Sequence, residues 1–294
     1  MRRPGRLDAV AVLCALLATD RGRAEPVHRA SPRHVERLRV PDVVWLPAGA
    51  FLRGSTEADS SEALHACALQ IPPPLRGLCV EWLSAEHPRE RVFTGAYGID
   101  RTEVTRARYR RCVLDGACRP SAVPDDDPRL GDDRMPVVGV DRSDAARFCR
   151  WAGGRLPTEA EWERAARGTD GRIFPWGNRF HPRLANHAER WGLVEQGGDG
   201  FEHLAPVGSF PAAASPHGLL DVAGNAREWV ADGWNPTTRP TTRVDPSTRD
   251  GSGGVVRGGS WRSPPFGLRI ASRMALPPDT ADVETGVRCA YDPE

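Results

Sequence analysis

The second half of this chain is rich in tryptophan but has almost no regular periodicity. Beyond Gly168, no long stretch keeps a helical or strand repeat, and loops of Gly, Pro, Asn and Asp dominate. The tryptophans between these loops are Trp176, Trp191, Trp229, Trp234 and Trp261. A compact domain rarely contains so much loop unless something besides hydrophobic burial orders it. We therefore expect bound metal, disulfides or both to stabilise this region.

The first half has clearer signals for regular structure. The predicted elements are a strand, turn and strand over Val43–Leu52, a strand over Tyr97–Thr102, and helices over Thr105–Cys112, Asp141–Ala152 and Thr158–Arg167. Thr158 and Glu161 form a capping box at the start of the last helix, and Thr105 is the expected N-cap of the first. Residues 56–90 are interpreted as a polar insertion. The chain is therefore predicted to be α+β, loop-rich and low in regular secondary structure.

Composition excludes several function classes. All 40 basic residues are Arg, so Schiff-base chemistry and a Walker A loop, which need a lysine amine, are excluded. The net charge of +1 gives no basic field for nucleic acid. With 39% hydrophobic residues over 294 positions, the chain is long and apolar enough to bury a core and is not intrinsically disordered.

The N-terminus resembles an export signal. Residues 1–24 combine a basic start, an apolar run of about ten residues and small residues at Gly22 and Ala24. The run is too short to span a membrane. Residues 25–41 are interpreted as a flexible leader and residues 42–291 as one domain. We expect an exported protein, periplasmic or extracellular, with a lipid anchor at Cys14 as the weaker alternative.

Cysteine usage agrees with export. Apart from Cys14, six cysteines remain, an even number that suggests disulfides in an exported chain. Cys112 and Cys118 enclose a short loop containing Asp-Gly, and Cys67 and Cys79 bracket a proline-rich stretch. Pairing these leaves Cys149 with Cys289, which would join the middle of the chain to a distant segment.

Three segments carry a specific pattern of motifs. They are Arg155-Leu156-Pro157-Thr158-Glu159-Ala160-Glu161-Trp162-Glu163, Gly218-Leu219-Leu220-Asp221-Val222-Ala223-Gly224-Asn225-Ala226-Arg227-Glu228-Trp229, and Val256-Arg257-Gly258-Gly259-Ser260-Trp261 with the closing Gly286-Val287-Arg288-Cys289. In this order the chain resembles the formylglycine-generating enzyme family, the sulfatase-modifying factors. The resemblance implies a variant of the C-type lectin fold with bound calcium, and it also pairs Cys149 with Cys289.

The resemblance implies two calcium sites on matching positions. One comprises Asp221, Gly224, Ala226 and Glu228, and the other comprises Asn186, His187, Asp199 and Phe201. Side-chain and carbonyl oxygens in loops are the ligands that calcium prefers. The alternative is that these acids cap turns or pair with arginine. Glu103 matches a less regular metal-linked position, but we interpret it as a carboxylate that caps the helix beginning near Thr105.

The family's catalytic residues have no counterpart here. Its members bind copper(I) between two thiolates downstream of the Gly-Gly-Ser motif and oxidise a sulfatase cysteine to an aldehyde, chemistry that suits soft ligands. That stretch of this chain has no cysteine, and Ser263 and Pro265 lie near the expected positions. The family's substrate-groove segment before Asp141 is also missing, and Glu284 replaces an expected Asn. We therefore predict no catalytic residues and no copper.

The sequence thus favours a calcium-stabilised, exported binding or scaffold module, a monomer whose partner is a protein or peptide. The alternative is an oxidase or another oxidoreductase on the same scaffold, acting on a protein cysteine. Arginines near the Gly-Gly-Ser motif could bind a carboxylate in a bidentate manner. The candidate ligand surface consists of Ser260, Trp261, Arg262, Arg269 and Arg273.

Overall fold

The computed structural model describes residues 42–188, 199–234 and 253–294. The predicted signal peptide, the leader and Cys14 lie outside these ranges. Within them, none of the helices is long and apolar enough to cross a membrane.

Three small sheets organise the described part of the chain. The strands are β1 (Val43–Leu46), β2 (Gly49–Arg53), β3 (Glu90–Thr94), β4 (Tyr97–Asp100), β5 (Arg227–Gly233), β6 (Gly254–Arg257), β7 (Arg273–Leu276), β8 (Thr285–Gly286) and β9 (Ala290–Tyr291). They pair in the orders β1-β4-β9, β2-β3 and β7-β6-β5-β8. All neighbours are antiparallel except β5 and β8, which are parallel.

The helices agree with the capping signals. They are α1 (Glu57–Gln70), α2 (Leu78–Ser84), α3 (Arg106–Leu114), α4 (Arg142–Trp151) and α5 (Glu159–Arg167), with short 3-10 turns at Pro73–Leu75, Pro211–Ala213 and Pro265–Leu268. Thr105 and Asp141 accept the N-terminal amides of α3 and α4, and Thr158 forms the predicted capping box of α5 with Glu161. The three predicted helices are therefore confirmed, as is the α+β, loop-rich class.

The structure differs from the sequence interpretation in the first hundred residues. The strands on either side of Pro47 form as predicted, but β1 pairs with β4 and β2 with β3, so they lie in different sheets. The segment 56–90 is largely helical, although it was interpreted only as a polar insertion. Its first helix begins with a second capping box, formed by Thr56 and Asp59. We call Thr56–Ala85, which contains α1 and α2, the helical insertion.

Disulfides and tryptophans hold these elements together. The pairs Cys67–Cys79, Cys112–Cys118 and Cys149–Cys289 are all formed, which confirms the predicted pairing. The last joins α4 to the segment between β8 and β9, in a core cluster with Phe148 and Trp229. Trp162 of α5 is fully buried in a second cluster. The core therefore forms between short elements that are distant in sequence.

Candidate functional site

A cleft lies where the helical insertion meets the loop between β6 and β7. Trp82, Phe266 and Met274 form its apolar wall, and Ser263 and Ser272 line it with hydroxyl groups. The rings of Trp82 and Phe266 are stacked with centroids 6.0 Å apart. The insertion thus supplies part of the wall, a contribution that the sequence interpretation missed.

Two polar contacts hold the insertion against this loop. The amide of Phe266 donates to Oε1 of Gln70 at 3.1 Å, at the C-terminal end of α1. Arg269 forms a bidentate ion pair, at 2.6 and 2.7 Å, with Glu86, which lies just after α2. Because Arg269 is 5% exposed and Glu86 2%, this pair is shielded from solvent and the contact is well defined.

The arginines of the predicted ligand surface are only partly available. Arg269 is engaged with Glu86, and Arg273 donates to both oxygens of Glu159, at 2.9 and 2.5 Å. Both arginines are buried, and the carboxylates that they bind belong to the chain itself. Ser260 is fully buried as well. Arg262 remains exposed and lies over the ring of Trp261, 5.3 Å from its centroid.

Ser263 lines the cleft within the stretch where the resemblance places the thiolates. Its Oγ accepts the amide of Ser260 at 2.9 Å and lies 3.2 Å from the Ser260 hydroxyl. The Ser260 hydroxyl in turn donates to Glu284 at 2.6 Å. The six cysteines of the described ranges are all in disulfides. The site therefore presents hydroxyl and carboxylate oxygens, which are hard donors that suit copper(I) poorly.

A second site is a pair of buried carboxyl groups, Glu103 and Asp221. Glu103 is fully buried, and its Oε1 accepts the side-chain amide of Asn225 and the backbone amide of Ala226 at 3.0 and 3.2 Å. The prediction that Glu103 caps the helix at Thr105 is therefore wrong. Asp221 adopts a left-handed backbone with φ of 58°, and its Oδ2 accepts the amide of Gly208.

The remaining oxygen of each carboxyl group is unsatisfied. Oε2 of Glu103 and Oδ1 of Asp221 are buried without a hydrogen-bond partner among the described residues. Burial raises the pKa of both groups, and the nearby charge of Asp221 raises the pKa of Glu103 further. The two carboxyl groups also interact with each other, and a shared proton or cation would satisfy both buried oxygens. The donor set therefore fits calcium, a hard cation that prefers oxygen ligands.

Glu228, the other predicted acidic ligand of this site, is oriented differently. Both of its oxygens accept from Arg288, at 2.7 to 3.0 Å, and Oε2 also accepts the indole N–H of Trp162 at 2.6 Å. Its charge is therefore already compensated. Three acidic, histidine or cysteine side chains do not converge in the described ranges. A cation at Glu103 and Asp221 would thus take further ligands from carbonyl or amide oxygens and water.

In the second predicted calcium site, the carboxylate already accepts hydrogen bonds from backbone amides. Asp199 accepts the amides of His187 and Phe201, both at 2.9 Å. Asn186 donates to the carbonyl of His203 and to the side chain of Asn225. Asn225 also contacts Glu103, so the four residues Asn186, Asn225, Glu103 and Ala226 form one continuous network. The structure thus brings the two predicted sites together through Asn225, which the sequence interpretation did not include.

Comparison with known proteins identifies the family. Residues 28–293 match the sulfatase-modifying factor enzyme 1-like domain, named FGE-sulfatase. The chain belongs to this family.

Individual relatives support the assignment. A formylglycine-generating enzyme of Thermomonospora curvata is 43% identical over 171 residues, covering 54% of this chain and 56% of the relative. An inactive C-alpha-formylglycine-generating enzyme 2 of Mus musculus is 39% identical over 163 residues, covering 53% and 49%. The chain thus spans about half the length of these curated relatives. The solved structure of PvdO from Pseudomonas aeruginosa is 25% identical with a TM-score of 0.66, over 86% of this chain and 94% of PvdO.

Proposed function

We propose that this FGE-sulfatase family member is an exported, calcium-stabilised protein that binds a ligand in the cleft and does not oxidise a protein cysteine. The observation that carries the proposal is the chemistry of the cleft. Ser263 lines it in place of a thiol, and the six cysteines of the described ranges are paired. The inactive relative of Mus musculus supports a family member without this activity.

Calcium is the second part of the proposal. The unsatisfied oxygens of Glu103 and Asp221 support a cation at that pair, and Glu103 replaces Glu228 as the second carboxylate. When bound, calcium would neutralise the two charges. The chain's own groups, Asn225 and Gly208, orient the carboxylates through hydrogen bonds. The site at Asp199 stays a prediction, because both of its oxygens already accept backbone amides.

Export is the third part. Three buried or largely buried disulfides are typical of proteins that fold in an oxidising compartment. The expected mature N-terminus follows residue 24. Mass spectrometry of the exported protein should find this terminus, and full-length protein retained in the cytosol would contradict the proposal.

An assay for aldehyde formation tests catalytic silence. A sulfatase-motif peptide with a cysteine is incubated with the protein, copper(I) and oxygen, and its thiol should persist. The Thermomonospora curvata enzyme, tested in parallel, is the positive control. Aldehyde above the level of a copper-only control would support the alternative, an oxidase that acts on a protein cysteine.

A further inference from the structure

The hydrogen-bond directions around Ser263 are determined by its neighbours. The Ser260 hydroxyl donates its proton to Glu284, a carboxylate flanked by Arg227 and Arg262 at 3.4 and 3.8 Å. An ionised carboxylate only accepts hydrogen bonds. The Ser260 proton is therefore committed to Glu284, and Ser260 can interact with other groups only as an acceptor.

As a consequence, the hydroxyl proton of Ser263 must be donated to Ser260 Oγ. Since Ser260 cannot donate to it, the contact of 3.2 Å between the two hydroxyl groups has Ser263 as the donor. Ser263 Oγ also accepts the Ser260 amide, which uses one of its two lone pairs. One lone pair remains, and Ser263 lines the cleft. Ser263 therefore offers the cleft an acceptor and no donor.

The guanidinium groups beside the cleft do not change this preference. Arg269 is paired with Glu86 and Arg273 with Glu159. Arg227 donates to Thr285 and Asp282, at 2.8 and 2.6 Å. Each positive charge is thus compensated by an acidic group of the chain. The apolar wall of Trp82, Phe266 and Met274 completes the cleft, and it disfavours a charged ligand.

From these contacts we infer that the cleft selects an apolar or aromatic group that carries a neutral hydrogen-bond donor, such as a hydroxyl. Ser263 Oγ accepts the hydrogen bond from this donor. The inference rests on the proposed role of the cleft as a binding site. Glu284 and Ser260 act as positioning residues, because they orient the Ser263 hydroxyl and do not contact the ligand.

Three probes of similar shape test the polarity of the cleft. Benzyl alcohol has a donor, benzaldehyde has only an acceptor, and benzoate is an anion. Binding to the full protein is measured by ligand-observed NMR, and a shift of the Trp82 indole N–H signal locates it. We expect benzyl alcohol to bind roughly three- to tenfold more tightly than benzaldehyde, the range for one neutral hydrogen bond. Benzoate should bind more weakly than both.

Matched variants assign the preference to Ser263. Ser263→Ala should remove the discrimination, and Ser260→Ala should weaken it, because the Ser263 proton can then turn toward the cleft while its free lone pair remains. Ser272→Ala removes the other hydroxyl that lines the cleft and should leave the preference unchanged. If Ser260→Ala does not fold, the comparison of Ser263→Ala with Ser272→Ala decides the assignment.

The possible failures are distinguishable. If benzaldehyde or benzoate binds wild-type protein at least as tightly as benzyl alcohol, the inferred polarity is overturned while the cleft remains a binding site. If the preference is retained in Ser263→Ala, another group accepts the hydrogen bond of the ligand, and the inference is also overturned. If none of the three probes shifts the Trp82 signal at millimolar concentration, the proposed binding role of the cleft fails together with the inference.

Discussion

Helix α5 and the site formed by Glu103 and Asp221 both bury carboxylates, but only those of the helix form ion pairs with arginines. Glu159 pairs with Arg273 and Arg257, and Glu163 pairs with Arg257 at 2.6 Å and Arg167 at 3.1 Å. In the other site, Glu103 and Asp221 each keep an oxygen without a partner among the described residues. The two groups of buried carboxylates therefore differ in how their charge is compensated. Arginines of the chain neutralise Glu159 and Glu163, whereas Glu103 and Asp221 require an external proton or cation.

The largest expected effect comes from breaking the helix network. Arg257→Met removes the guanidinium shared by Glu159 and Glu163 and leaves buried charge uncompensated, so it should destabilise the protein by about 3–5 kcal/mol in urea unfolding. Arg134→Met is the matched control, because Arg134 is exposed and its ion pair in the described part of the chain is with nearby Asp132. Its effect should be within about 1 kcal/mol. Equal losses in both variants would contradict the comparison.

Calcium should act on Glu103 and Asp221 and not on the helix. At a hundredfold excess over Kd, an ion bound only to the native state contributes about 2.7 kcal/mol. Chelation should therefore lower the Tm of wild-type protein. Glu103→Gln should lose this response and be more stable than wild type in calcium-free buffer, since a neutral amide replaces a buried charge.

The Arg134→Met protein, which retains Glu103, serves as the control for the chelation measurement. A Tm that is the same with calcium and with chelator in wild-type protein would indicate that Glu103 and Asp221 share a proton in place of a cation.

The helix network should also respond to acid. Burial opposes ionisation of Glu159 and Glu163, but their arginine partners outweigh it and lower the pKa of both carboxyls. A lowered native pKa contributes stability above the unfolded value of about 4.3, and this stability is lost as the pH falls through the native pKa. Unfolding free energy should therefore fall below about pH 4, and less steeply in Glu163→Gln. An equal slope in the two proteins would exclude Glu163 as a contributor.

The smallest effect is expected at Asp199. Asp199→Asn leaves one of the amides of His187 and Phe201 without an acceptor, which should cost about 1 kcal/mol. The loss is measured by urea unfolding with calcium and with chelator, and an equal loss in both would exclude Asp199 as a calcium ligand. A loss that appears only in calcium would establish the second predicted calcium site.

Local signals in the sequence were sufficient for helices α3, α4 and α5 and for the Cys112–Cys118 disulfide. Thr158 with Glu161, and the short loop between Cys112 and Cys118, encode their structures within a few residues. The capping box at Thr56 and Asp59 was an equally local signal for α1 that the interpretation did not use.

Long-range pairings were not predictable in the same way. Arg269 forms its ion pair with Glu86, 183 positions away in the sequence, and Glu103 accepts a hydrogen bond from Asn225, 122 positions away. A single sequence shows that such residues are charged or polar, but it does not show which partner the fold brings to them. The sequence therefore does not show that Arg269 and Arg273 of the expected ligand surface are buried in ion pairs, or that Glu103 contacts Asn225 and not the helix at Thr105.

The join between α4 and the segment around Cys289 determines when the domain can assemble. Thr285–Gly286 completes the sheet of β5, Ala290–Tyr291 completes that of β4, and Cys289 crosses 140 positions to Cys149. Arg288 neutralises Glu228 within the same few residues. During synthesis, neither sheet can be completed before residues 285–291 emerge, so the domain closes only after nearly all of residues 42–291 have been made.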